Sequence, residues 1–129
     1  MFLLDTCTLL WLAGGAQDRL STNAADLIRR HPSGLFVSAI SAFEIGVKAK
    51  KGKLQLRLDP RTWFDKAMTA HGLHGIPVTS AIAAASTMLP PRHVDPCDRM
   101  IIATAMEHGF SVLTPDDMIG GYPDVTTTW

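Results

Sequence analysis

His93-Val94-Asp95-Pro96-Cys97-Asp98-Arg99-Met100-Ile101-Ile102-Ala103 is the stretch on which the reading of this chain turns. Asp95 has the chemistry of an N-cap, and Pro96 suits the first helical position, where a missing N–H costs nothing. The apolar spacing of Ile101, Ile102, Ala105 and Met106 then predicts a helix from Pro96 to about Glu107, closed by His108-Gly109. Asp98 falls at the third helical position, so a carboxylate stands at the helix mouth. An acid there is also an ordinary feature of a helix start. Its meaning depends on where the other acids lie.

Working outward, Phe110 to Leu113 reads as a strand. It runs into Thr114-Pro115-Asp116-Asp117, a second capping residue, proline and acid arrangement. At the other end of the chain, Phe2 to Leu4 is a short apolar strand stopping at Asp5, and Thr6 to Leu12 follows as a helix ending near Gly14-Gly15. Between them the pattern alternates. Ser21 caps a helix ended by His31-Pro32, and Leu35 to Val37 is a strand. Ser38 or Ser41 starts a helix with Ile40, Phe43 and Val47 on one side. Asp59-Pro60 opens a helix with Trp63, Phe64, Ala67 and Met68 on its apolar face, ended by His71-Gly72. Ile76 to Val78 is a short strand, and Thr79 caps Ser80 to Met88, which breaks at Pro90-Pro91. Val125 to Trp129 reads as an edge strand. Strands alternating with helices along the whole chain argue for an α/β fold with a parallel sheet.

Composition bounds the class. A chain of 129 residues, 47% hydrophobic, is one domain, residues 1–129, with one sizeable core. Lys plus Arg and Asp plus Glu both number 12, so nucleic-acid binding would have to come from a local patch. Zero net charge also favours self-association. Two cysteines, Cys7 and Cys97, make no disulfide framework, which points to a reducing, cytoplasmic setting. The start lacks a basic region and Asp5 interrupts its apolar run, so a signal peptide is not expected. No apolar stretch reaches membrane-spanning length.

Asp5, Asp98 and Asp116 therefore fall at strand-to-helix or helix mouths on the side where open α/β sheets bind ligands. Glu44 can join them from its helix. Each has a structural alternative. Asp5 could simply cap the next helix, and the spacing Ser41-x-x-Glu44 leans towards a capping box in which Glu44 bonds a backbone N–H. Gathered together, such acids would repel by about 1 to 4 kcal/mol per close pair at solvated effective dielectrics, and would call for a divalent cation. Oxygen ligands suit Mg²⁺ or Mn²⁺, whereas the spacings of Cys7, Cys97 and His93 match no zinc motif. Behind Glu44, Lys48, Lys50, Lys51, Lys53 and Arg57 form the densest basic run, read either as a solvated helix end or as a rim for a polyanion.

At this point the chain resembles a known family. Leu3-Leu4-Asp5-Thr6, Ser41-Ala42-Phe43-Glu44-Ile45, the stretch from His93 to Arg99 with Ile102-Ala103-x-Ala105, and Leu113-Thr114-x-Asp116 together resemble PIN-domain ribonucleases, specifically the toxins of VapBC toxin-antitoxin systems. The likeness spans nearly the whole chain in order and spacing. It implies a PIN-like, Rossmann-like central parallel sheet flanked by helices. It further implies a pocket of Asp5, Glu44, Asp98 and Asp116 holding one or two Mg²⁺ or Mn²⁺ ions, with Thr6 and Thr114 as hydroxyl support. His93, Asp95 and Arg99 are assigned by it to loop and cap structure, Arg99 being also a candidate phosphate contact. The implied activity is endoribonuclease cleavage by metal-activated water, without a side-chain nucleophile. The implied partners are an RNA substrate, a cognate VapB-type antitoxin that places a basic side chain among the acids, and a second copy in a homodimer.

Two other readings compete. A phosphatase of the haloacid-dehalogenase type needs a second Asp two residues after the first, and Cys7 stands there. A non-catalytic binding module of the same fold would use its acids to hold a metal or only to cap helices.

Overall fold

A computed structural model describes residues 1–92 and 95–129. His93 and Val94 of the opening stretch, and with them any role for His93, lie outside the described residues. The chain begins with β1 (Phe2–Leu4), α1 (Thr6–Ala13), a single 3₁₀ turn (Gln17–Arg19) and α2 (Thr22–Arg30). β2 (Leu35–Ser38), α3 (Ala39–Lys50), α4 (Pro60–Ala70) and β3 (His74–Ile76) follow. The second half is α5 (Ser80–Thr87), α6 (Pro96–His108), β4 (Ser111–Leu113), α7 (Asp117–Gly120) and β5 (Thr127–Thr128).

All the strand pairs are parallel, in the order β3-β2-β1-β4-β5. The chain builds outward from β1 in one direction through β2 and β3, then in the other through β4 and β5. The order reverses between β1 and β4, so a crevice forms outside their carboxyl ends. Asp5 follows one of these strands and Thr114 the other.

β1 is buried on both faces, as a central parallel strand must be. Leu4 packs with Leu9, Leu35, Val37, Ile45 and Leu113 on one side, while Leu3 packs with Ile76, Ile101, Ile102 and Val112 on the other. Each such side chain, buried fully, contributes about 1.5 to 3 kcal/mol. Helix starts are capped where the sequence indicates. Ser21 accepts from Ala24 N, Thr79 from Ile82 N and Asp59 from Thr62 N. Gly109 ends α6 in the left-handed region, φ 68°, where a glycine carries no Cβ penalty.

Several expectations need correction. The strand expected at Ile76 to Val78 lies earlier, at His74–Ile76, pairing Phe36 with His74 and Ser38 with Ile76. Pro77 has no N–H for the ladder and ends it. The edge strand expected over Val125 to Trp129 contracts to Thr127–Thr128. α3 turns Ser41 and Ile45 inward with Ile40 packed against the core, and leaves Phe43, on the side read as apolar, 62% exposed. The start of α7 also differs. Asp116, not Thr114, is its N-cap, because the Thr114 hydroxyl is used elsewhere.

Candidate active site

The site forms where the ends of β1, β2 and β4 meet the start of α6. Asp5 is 4% exposed and caps α1, its Oδ1 accepting from Thr8 N at 2.9 Å. Its Oδ2 accepts a short hydrogen bond from the Thr114 hydroxyl, and Thr114 Oγ1 in turn accepts from Asp116 N at 3.0 Å. The Cys7 thiol donates to the same carboxylate at 3.3 Å. Burial first, and the Asp5 charge second, push that thiol well above the ordinary cysteine range. Asp5 and Thr114 thus brace the two strands at the switch point, and the Thr8 hydroxyl adds a bond to Leu113 O at 2.9 Å.

Glu44 is held differently. Ser38 caps α3 through Ile40 N at 3.1 Å, so the alternative start at Ser41 and the capping box are both overturned. Glu44 instead accepts from Thr6 Oγ1 at 2.6 Å. Thr6 lies 2.9 Å from the buried hydroxyl of Ser41. Because Thr6 has one hydroxyl proton and gives it to Glu44, Ser41 is the donor to Thr6. This two-hydroxyl relay fixes Oε1 and leaves Oε2 to meet Lys48 Nζ at 3.5 Å, one turn along the helix.

Glu44, Asp95 and Asp98 converge: one oxygen from each lies within 4.8 Å of the others. Asp95 caps α6, accepting from Cys97 N at 2.9 Å, and Asp98 is in its first turn. The buried Cys97 thiol lies within the field of these acids. It is pushed up to about 11, by burial first and then by the charges of Glu44, Asp95 and Asp98, with Lys48 acting in the opposite sense. Oxygens sharing one Mg²⁺ at about 2.1 Å stand no more than about 4.2 Å apart, so small carboxylate rotations bring this trio to ligating distance. An all-carboxylate donor set fits a hard divalent cation.

Of the four acids singled out from the sequence, Glu44 and Asp98 meet directly. Asp5 adjoins Glu44 through the neighbouring Thr6, and Asp116 adjoins Asp5 through Thr114. The carboxylate of Asp116 caps α7 at Met118 N, 2.8 Å. Asp95 was legible as a cap and is one, but it also joins the acidic trio. The signal was its three-residue spacing from Asp98, which puts both acids in one turn at the same helix mouth. Arg99 is loop structure. Its guanidinium donates to Ser86 O at 3.1 Å, Pro90 O at 3.0 Å and Leu89 O at 2.8 Å, tying α6 to the end of α5.

An open parallel sheet with this strand order, carrying carboxylates at its switch point, defines a class of α/β proteins in which acids from separate strands face one crevice. A sequence model of the PIN domain matches residues 2–123, and the chain belongs to the PIN domain family. It is 34% identical over 130 residues to Ribonuclease VapC22 of Mycobacterium tuberculosis, covering 98% of this chain and 97% of that protein. Solved structures share the fold at low identity. A chain of VapBC2 from Rickettsia felis, bound to a promoter DNA fragment, aligns with TM-score 0.73 at 12% identity, covering 98% of this chain and 96% of its own. A chain of DNA-bound VapBC from Salmonella typhimurium aligns with TM-score 0.72 at 18% identity, over 98% and 96% of the two chains. A toxin-antitoxin complex from Klebsiella pneumoniae aligns with TM-score 0.66 at 23% identity, over 100% and 98%.

Proposed function

We propose that this chain is a metal-dependent endoribonuclease and the toxin of a type II toxin-antitoxin pair. The observation that carries the reading is the convergence of Glu44, Asp95 and Asp98 at the mouth of α6, in a chain 34% identical along its length to a protein named as a ribonuclease. Asp5, Glu44, Asp98 and Asp116 form the acidic pocket, with Asp95 added, and Mg²⁺ or Mn²⁺ is the ion they suit.

A divalent cation held there supplies water activation and positive charge against the phosphate. The chain's own residues supply position. Ser41 and Thr6 fix Glu44 Oε1, which holds the carboxylate in place beside Asp95 and Asp98. Thr114 locks Asp5 and anchors the loop that carries Asp116. The pocket then presents its oxygens close to the geometry a cation needs, with only small rotations left to make, and Lys48 adds a positive charge beside them.

The same reading assigns a VapB-type antitoxin as partner, with a basic side chain entering among the acids in the place of the cation's charge. It assigns a homodimer, to which exposed Phe43 and Met118 would offer apolar area, and a cytoplasmic setting. Among the described residues, no helix is long and apolar enough to cross a membrane. The test is incubation of purified protein with total RNA and Mg²⁺ or Mn²⁺, with and without chelator, followed by analysis of the product ends. Cut RNA with uniform end chemistry, lost on chelation, supports it. Intact RNA in every lane would leave a non-catalytic PIN-fold module.

A further inference from the structure

A recess of about 820 Å³ opens beside the acidic pocket, bounded by α1, the end of α3, the segment from Lys53 to Leu58 and the start of α4. Its charge is one-sided. Among the described residues, Arg19, Lys48, Lys53 and Arg57 line it and no acid does, although the whole chain carries 12 positive and 12 negative side chains. It is continuous with the site: Lys48 lies on the recess wall and 3.5 Å from Glu44, and Cys7 lies on the wall and against Asp5. Two half-buried tryptophans, Trp11 and Trp63, also line it. Trp11 already accepts a cation on its face, with the Arg19 guanidinium 5.9 Å from the ring centre.

Cations flanking aromatic rings in a groove are the chemistry of single-stranded nucleic-acid binding, in which phosphates meet the charges and bases stack on the rings. We propose that this recess holds the single-stranded RNA next to the bond being cut, with phosphates on Lys53 and Arg57 and a base against Trp11 or Trp63. The inference rests on the ribonuclease reading and gives it a strand path. It also divides the basic run: Lys48, Lys53 and Arg57 face the recess, while Lys50 and Lys51 are exposed and do not line it. A protein segment could fill an apolar groove of this size, but Arg19, Lys53 and Arg57, together with Lys48 at the Glu44 end, give it a net positive lining that favours a polyanion.

The test uses fluorescein-labelled oligouridylate, which has no stable secondary structure, and measures anisotropy over a range of NaCl in EDTA, so that nothing is cleaved. Lys53→Gln with Arg57→Gln should weaken binding several-fold at low salt and flatten the log-log salt slope by about 1.4, or 0.7 per lost single-strand contact. Lys50→Gln with Lys51→Gln makes the same charge change outside the recess and should leave affinity within about twofold. Tryptophan fluorescence should be quenched by oligouridylate and not by an abasic oligomer of the same length. Equal weakening by both double variants would reduce the effect to diffuse charge and overturn the groove. So would a wild type that does not bind, variants that both bind normally, or quenching that does not depend on bases. All four substituted side chains are exposed, so melting temperatures should match the wild type. RNA bound in the recess but left whole with Mg²⁺ or Mn²⁺ would sink the ribonuclease reading alone. RNA cut normally by the Lys53 and Arg57 variant with unchanged affinity would sink the groove alone.

Discussion

Asp5 and Glu44 face the same crevice and are held in opposite ways. Asp5 is a building element: one oxygen caps α1 and the other receives the Thr114 hydroxyl. Glu44 caps nothing. A relay of two hydroxyls fixes one of its oxygens, the other meets Lys48, and the carboxylate as a whole converges with those of Asp95 and Asp98. The contrast separates acids that close helix ends, such as Asp5, Asp59 and Asp116, from acids whose oxygens converge, Glu44 and Asp98. Asp95 does both. A converging acid raises the energy of the fold through repulsion, whereas a capping acid lowers it. Substituting a converging acid should therefore cost activity without stability, Asp5 should cost both, and Asp59, far from the pocket acids in role, should cost stability alone.

The largest expected effect is on the converging side. Asp98→Asn should lower RNA cleavage by more than about 100-fold, since even outer partners of metal ligands cost 10- to 100-fold when changed. Its melting temperature should be unchanged or higher, because a repelling charge is gone. A gel of total RNA and a thermal melt check both. Wild-type cleavage, or an unfolded variant, would make Asp98 a structural residue.

On the capping side, Asp5→Ala should destabilise the protein by about 2 to 4 kcal/mol, combining a lost N-cap with a buried Thr114 hydroxyl left without its acceptor. Urea denaturation measures it. A stability equal to wild type would remove the distinction between the two classes.

Added Mg²⁺ or Mn²⁺ should raise the melting temperature of the wild type, by as much as about 2.7 kcal/mol of linkage at a hundredfold excess over Kd. Glu44→Gln with Asp98→Asn should abolish that shift. An undiminished shift would move the cation away from the trio.

Asp59 gives the smallest effect and the sharpest control for a pure cap. Its hydrogen bonds from Thr62 hold its carboxyl below the ordinary aspartate range. A carboxyl depressed in the folded state adds stability above its unfolded pKa and loses it as pH falls through the folded value. The modest stability difference between wild type and Asp59→Ala should therefore be steady near neutrality and shrink below about pH 4. Cleavage should be unaffected throughout.

Much of the molecule was legible in the sequence because its local signals agree with the fold. Asp59-Pro60 and Asp95-Pro96 mark helix starts through backbone chemistry that depends on no distant contact. Leu3 and Leu4, adjacent and both apolar, announce a strand buried on both faces. Misread features were those decided by tertiary partners. Thr114 looks like a helix cap until Asp5, 109 residues away, claims its hydroxyl. Ser41 and Glu44 have capping-box spacing, but Thr6 from another strand end takes both side chains. The recess was invisible for the same reason, since it joins Trp11 to Arg57 across segments no periodicity connects.

The bond between Thr114 and Asp5 also sets when the pocket can exist during synthesis. β1 leaves the ribosome first but lies in the middle of the sheet, so one of its edges stays unpaired until β4 arrives. At 5 to 20 residues per second, the 109 residues separating the two side chains take about 5 to 20 s to make. Through that interval Asp5 has neither its strand neighbour nor its buried hydroxyl, and the crevice has only one wall. A chain stopped before Thr114 never acquires the hydroxyl that locks the Asp5 carboxylate.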